Sequence, residues 1–413
     1  MESLPNEIVL LILQDLRPKA PSLDPKPVWD QCLAEFGPRH RENRDEMGRL
    51  FQDAWPNDSD SKRRAAGLHG LCQSSKRMYV VVKKFLYENI VVRTGSSMVL
   101  LLRTILETPS VVPFIYQISF TLANTEAVVR DAASAWQTKL QPLVHFESLP
   151  TRAQDLLKRA RLDWRPCKAV KLSPYRLEPW APMIGLPAAR LADQLVDMTG
   201  IASVLVSLTT KVDTVLVRLP LQSSPLFKFG IGPLEGIAVR DATHSLFEYP
   251  HITNLRVMCG TQDHSRISLQ DFCDAEAWYP DADPDNCLAV HLSGFPNLRR
   301  LEVCIDEGDV MLQGSQNTLD NLQELIVHGG IHQIHEMCET VLACPNLRSL
   351  HLNVSTFGKL ISQQERTEYA HCEIFVPDLF DFDNWSQIQS LQLPLAWHSW
   401  VPAPLRRSLV ASS

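Results

Sequence analysis

Phe295-Pro296-Asn297-Leu298-Arg299-Arg300-Leu301-Glu302-Val303 and Cys344-Pro345-Asn346-Leu347-Arg348-Ser349-Leu350-His351-Leu352 share one frame. A Pro-Asn corner is followed by the order apolar-x-x-apolar-x-apolar. Residues two apart on a strand share a face, so Leu301 with Val303, and Leu350 with Leu352, point into one core. The leading Leu298 and Leu347 turn in from the corner before each strand.

The frame returns at Val212/Val215/Val217, Ile252/Leu255/Val257, Leu322/Leu325/Val327 and Ile388/Leu391/Leu393. Tyr249-Pro250-His251 and Asp320-Asn321 lead into two of these copies, and Ile115 to Phe120 reads as an earlier short strand. Leu298, Leu322 and Leu347 are 24 and 25 residues apart, within the roughly 20–29 of leucine-rich repeats. The other steps are 40, 46 and 41 residues and imply insertions. Ile331, Ile334, Cys338, Val341 and Leu342 have helical spacing, so a helix is expected over the core between two strands. Stacked strand–helix units give parallel strands and a curved surface suited to holding another protein.

The segment 121–211 departs from the frame. Thr125 to Leu140, Thr151 to Asp163 and Pro187 to Leu208 read as helices, with Pro166, Pro174, Pro179 and Pro182 between the last two. Leu100 to Leu106 reads as a helix ending before Pro109. The expected class is therefore an α+β or α/β repeat, with a leucine-rich-repeat-like solenoid of short parallel strands and helices over 93–413.

The N-terminal 92 residues are different in character. Leu4-Pro5-Asn6-Glu7-Ile8 reads as a helix start, since Pro suits the first position and Glu7 complements the positive end of the helix dipole. Apolar residues follow at Ile8, Val9, Ile12, Leu13 and Leu16, with Leu10 and Leu11 filling much of the remainder. A helix this apolar in a small module is expected to lie between its own domain and something else. Residues 18–67 carry five prolines up to Pro38 and end in charges, and read as a mobile insertion with a helix from Glu42 to Trp55. Leu68, Leu71, Cys72, Ser75 and Tyr79 then recur as one helical face, and Phe85-Leu86-Tyr87 lead into a β-type run at Ile90–Val92.

These residues carry a resemblance. Leu4-Pro5-x-Glu7-Ile8 with Ile12 and Leu16, then Leu68, Leu71, Cys72, Ser75, Met78 and Tyr79, then Phe85-Leu86-Tyr87-Glu88-Asn89-Ile90-Val91-Val92, resemble an F-box split by an insertion of about fifty residues. The match covers residues 3–17 and 68–92 and is similar to the F-box proteins of filamentous fungi, which commonly pair this module with such repeats. The resemblance implies docking onto the Skp-type adaptor of a cullin–RING ubiquitin ligase. Leu4, Pro5, Ile8, Ile12 and Leu16 would form the first part of the docking face, and Leu68, Leu71, Cys72 and Ser75 the rest. The physics is helix-in-groove recognition through apolar anchors. A second reading stands beside it, in which these residues form an internal core, Leu71 and Cys72 above all.

Composition narrows the function classes. The 413 residues are 45% hydrophobic and 21% charged, as in folded proteins. A net charge of −7 argues against a phosphate-backbone binder, and Lys62-Arg63-Arg64, Lys83-Lys84 and Arg406-Arg407 read as short, scattered surface charge. The opening residues lack a basic stretch before their short apolar run, and no stretch approaches a membrane span. Ten cysteines without a CxxC read as reduced thiols, which points to the cytoplasm or nucleus.

No catalytic or cofactor motif stands out. His328, His332, His335, Glu336 and Cys338 form the best metal candidate, but no His stands four residues after His335 as H-E-x-x-H requires, and the helix phase turns Cys338 inward. Asp281, Asp283, Asp285 and Asn286 hint at a calcium loop, yet Asn286 and Leu292 stand where Gly and Glu are needed. Gly230, Gly232 and Gly236 miss the dinucleotide spacing. The expected function is that of a non-catalytic adaptor without metal or cofactor, joining a Skp-type adaptor, and through it a cullin, to a target protein. The alternative is a repeat scaffold whose F-box-like start is a cap.

Overall fold

The computed structural model describes residues 6–17, 23, 59–121, 126–160, 162, 164, 198–220, 231–233, 248–260, 288–292, 294–304, 310–313, 316–328, 344–353 and 388–392. Helices and parallel strands place the chain in the α/β class. It divides into two compact units. One comprises Met1–Pro21, Asn57–Arg218 and Ser224–Phe229; the other comprises Ser22–Pro56, Leu219–Ser223 and Gly230–Ser413.

The first unit opens with α1 (Asn6–Asp15), α2 (Ser59–Ser74) and α3 (Lys76–Glu88). Residues 59–67, expected in the insertion, are instead the first two turns of α2. Ala65 and Ala66 favour helix there and Asp60 suits its start. The single face expected through residue 79 is also broken. Ser75 is extended and caps α3, its hydroxyl accepting from the Met78 amide at 3.2 Å. Such a cap satisfies an amide that the helix start would otherwise leave open. The break turns α3 back onto α2, so Leu68 and Leu71 meet Met78 and Val82. Val9 and Leu13 of α1 complete this core.

Helix α3 runs straight into β1 (Asn89–Val92). There follow α4 (Gly95–Glu107), a 3-10 turn at Pro109–Phe114, β2 (Gln117–Phe120), α5 (Glu126–Ala135) with a wider π-type turn at Trp136–Leu140, α6 (Thr151–Arg159), α7 (Met198–Leu208) and β3 (Thr214–Pro220). Thr94 and Ser97 form a reciprocal capping box at the start of α4. Strands β1, β2 and β3 pair in parallel, with Ile90 beside Ile118 and Ile118 beside Val215. Both faces of β2 and β3 are covered, for Ser119 and Leu216 are as buried as Ile118 and Val215. Parallel strands covered on both faces read as near-continuous apolar runs, as Val215-Leu216-Val217 does.

In the second unit β5 (Asn254–Gly260), β7 (Arg300–Cys304), β9 (Glu324–His328), β10 (Ser349–Asn353) and β11 (Ser390–Gln392) are parallel neighbours. A smaller sheet takes β4 (Ile231–Pro233), β6 (Leu288–His291) and β8 (Val310–Gln313), antiparallel between the first two and parallel between the others. A short helix, α8 (Gln316–Asn321), precedes β9. Leu255, Leu301, Leu325, Leu350 and Leu391 stand in register and are buried, as the repeated frame requires.

The corner before each strand is built from the same bonds. The amide of Leu298 donates to Phe295 O, Leu322 to Leu319 O and Leu347 to Cys344 O; Ile252 donates likewise to Tyr249 O. The next residue reaches one strand back, Arg299 to Thr253 O, Gln323 to Arg299 O and Arg348 to Gln323 O. Asparagine side chains add rungs, with Asn297, Asn321 and Asn346 donating to Pro250, Pro296 and Asp320 carbonyls at 2.7, 2.9 and 2.8 Å. The same backbone pattern occurs in the first unit at Ile115–Tyr116 and Val212–Asp213. The frame therefore reaches back to β2.

Candidate partner-binding surfaces

Helix α1 separates its apolar residues into two sets. Val9 and Leu13 are buried in the core, with Leu16 partly buried against it. Ile8, Leu11 and Ile12 remain 43%, 58% and 38% exposed. They fall at steps of three and four, which is one helical stripe. The end of α1 is fastened, because Arg64 of α2 bonds the Asp15 carbonyl and Arg17 pairs with Glu88 of α3. The exposed stripe is thus held in place by its own module.

Of the residues singled out in the sequence, Leu4 and Pro5 lie outside the described residues. Ile8 and Ile12 are on the open stripe. Leu68 and Leu71 are in the internal core, and Cys72 is partly buried against it, its thiol pushed up by burial. Ser75 is engaged as the cap of α3. The seven described residues are thus divided between surface and interior. Leu11, read only as filler, belongs to the exposed set; its place three residues after Ile8 is the signal that finds it.

The non-core face of the second unit's sheet is also unlike the open surface the repeat pattern suggests. Glu302 and His328 are buried there among charged neighbours. Arg256 Nε donates to Glu302 Oε2 at 2.8 Å and its Nη2 approaches Oε1 at 3.5 Å. His328 Nε2 is 3.3 Å from Oε1, and Arg300 Nη2 is 4.0 Å from Oε2. Arg300 Nε also lies 3.4 Å from Glu324 Oε2. Ser349 and His351 of β10 bond each other at 2.9 Å.

Burial alone would raise the Glu302 carboxyl, but the His328 hydrogen bond and the charge and hydrogen bonds of Arg256 outweigh it and hold it at about 2. A carboxylate this committed does not exchange protons near neutrality. It works as a clasp across three strands. Burial lowers His351, against the opposite pull of Glu324. The sequence contained the signal for this clasp, since Arg256, Glu302, Ile326 and His351 fill the same x of Leu-x-Val or Leu-x-Leu. Without a register the pairing was not visible.

The side chains left to solvent lie at the strand starts. Arg299, Gln323, Arg348 and Gln389 are all exposed, one per strand, on the residues whose amides form the inter-strand ladder. The proposed metal residues His332, His335, Glu336 and Cys338, their helix and Asp281–Asn286 lie outside the described residues. Among the described residues no three His, Cys, Asp or Glu side chains converge as metal ligands. No described helix is long and apolar enough to cross a membrane. No family model matches the chain, and neither does any curated protein or solved structure.

Proposed function

We propose that this chain is a non-catalytic adaptor of a cullin–RING ubiquitin ligase, docking a Skp-type adaptor through its N-terminal helices and holding a target on its repeats. The observation that carries the reading is the exposed stripe Ile8–Leu11–Ile12 on a helix already anchored by Val9 and Leu13. Covering what remains exposed of each side chain is worth about 1 kcal/mol, so the three residues and a few neighbours suffice for a specific contact. The module supplies no chemistry of its own. It raises the concentration of a target lysine near the ligase.

On this reading the repeats form a leucine-rich-repeat-like solenoid, and the target meets the strand starts at Arg299, Gln323, Arg348 and Gln389. The strand centres are closed by their own packing.

Co-expression with a Skp-type adaptor tests the docking half. The wild-type chain is expected to co-purify with it, and Ile8→Asp with Ile12→Asp to abolish the complex while leaving helix content unchanged. An intact complex with the double variant would sink the reading.

One observation favours a second reading. Helix α3 continues without a break into β1, which pairs with β2, so the helical module leads directly into the first of the first unit's parallel strands. A scaffold in which they serve only as a cap would bind no Skp-type adaptor even as wild type.

A further inference from the structure

Between Asp60 and Glu88 the sequence has seven lysines and arginines and no acidic residue, in a chain of net charge −7. The folded module brings these separate clusters together. Asp15 and Arg17 are two residues apart, and one meets Arg64 while the other meets Glu88. The start of α2 and the end of α3 therefore lie at the same end of the module, with Arg63 and Lys84 both exposed there.

Along α3, Lys76, Val80 and Lys84 are exposed at steps of four, with Arg77 exposed beside them. They form one stripe about 12 Å long. Val80 is 73% exposed, more than any other large apolar side chain described. Tyr79, 44% exposed, flanks it. Among the described residues, Arg63, Lys76 and Lys84 have no carboxylate partner. Like charges one and two turns apart on a helix repel unless an opposite charge lies between them.

We infer that this stripe of α3 is a docking site for an acidic amphipathic protein segment, with carboxylates about 12 Å apart and an apolar side chain between them to cover Val80. It is distinct from the α1 stripe and does not depend on the ligase reading. Two other polyanions fit less well. A membrane surface requires a wide apolar face, and here one valine and one tyrosine stand among cations. Nucleic acid requires several phosphate contacts, and the net negative charge of the chain opposes them.

The test uses the full chain and a labelled helical peptide bearing glutamates eight residues apart with a leucine midway, followed by fluorescence anisotropy. Binding is expected to weaken at least ten-fold with Lys76→Glu and Lys84→Glu together, and at least ten-fold on raising salt from about 0.05 to 0.5 M. Val80→Ser, which leaves every charge in place, is expected to weaken it at least three-fold. It guards against misfolding of the charge variant, with circular dichroism as control. Absence of binding at about 1 mM peptide would overturn the proposal. So would equal binding of a peptide with serine in place of the leucine, of an oligonucleotide, or of phosphatidylserine vesicles, since each would mark a generic polyanion surface.

Discussion

Replacing Glu302 by Gln tests the account of the second unit most directly. The carboxyl stands at about 2 against an ordinary 4.5. At 1.36 kcal/mol per pKa unit that depression corresponds to roughly 3 kcal/mol of stability at neutral pH. The sign follows from the direction. A carboxyl depressed in the folded state contributes fully above its unfolded value, and the contribution disappears as pH falls from about 4.5 toward 2. Glu302→Gln keeps the shape and removes the charge, leaving Arg256 and His328 without their anion. It is expected to lose about 2–3 kcal/mol at pH 7, as buried pairs do when one partner is removed. The gap between the two proteins should close as pH approaches 2. Urea unfolding at several pH values measures the gap, and hydrogen exchange of peptides spanning β7 and β9 locates it. A difference under about 0.5 kcal/mol at pH 7, or one independent of pH, would refute the clasp.

Other substitutions separate close alternatives. An alanine Cβ at Gly95 would stand 2.1 Å from the Val128 carbonyl oxygen and 2.6 Å from the Ala132 nitrogen, both backbone atoms of α5. Gly95→Ala should therefore lower the melting temperature by the equivalent of about 1–3 kcal/mol, whereas helix propensity alone would raise it. Leu13→Ala should lose about 2–5 kcal/mol in urea unfolding, and Ile12→Ala, one residue away on the open stripe, less than about 1 kcal/mol. Asn321→Ala removes one rung of the corner ladder and should cost about 1 kcal/mol, visible as faster exchange at the start of β9. On the proposed function, Arg299→Glu with Arg348→Glu should abolish target capture, assayed with ligase activity blocked, while leaving co-purification of a Skp-type adaptor unchanged.

The strands were legible because their side-chain period is two and their corners repeat. Leu301 with Val303, and Leu325 with Val327, needed only that alternation to be placed in a core. The helices were legible in existence and less so in extent. Nothing in the apolar spacing of Leu68, Leu71, Cys72, Ser75 and Tyr79 announces a break at Ser75. A serine that caps one helix is compatible by itself with the middle of another, and the choice depends on whether α3 gains more by folding back on Leu68 and Leu71. The start of α2 at Ser59 was hidden by the charges of Lys62, Arg63 and Arg64. They read as a linker, yet they are good helix formers when one face of the helix is left to water.

The candidate surfaces were legible only in part, for a physical reason. An apolar residue at helical spacing serves a core and a docking face equally well, and only the partner it meets within its own chain decides between them. Val9 and Leu13 find Leu68, Met78 and Val82; Ile8 and Leu11, on the same helix, stay outside that core, and Ile12 only edges the crevice beside Leu71 and Met78. The sheet shows the converse. Repeats with one core face suggest that the alternate face is free, but Glu302 and His328 are buried on it. Glu302 is held by Arg256 on one neighbouring strand and by His328 on the other, so the two have little left to offer a partner. Arg299 and Arg348 have no such answering charge among the described residues. On the proposed function, recognition therefore belongs at the strand starts, where each strand presents one exposed side chain at a spacing of about 4.8 Å.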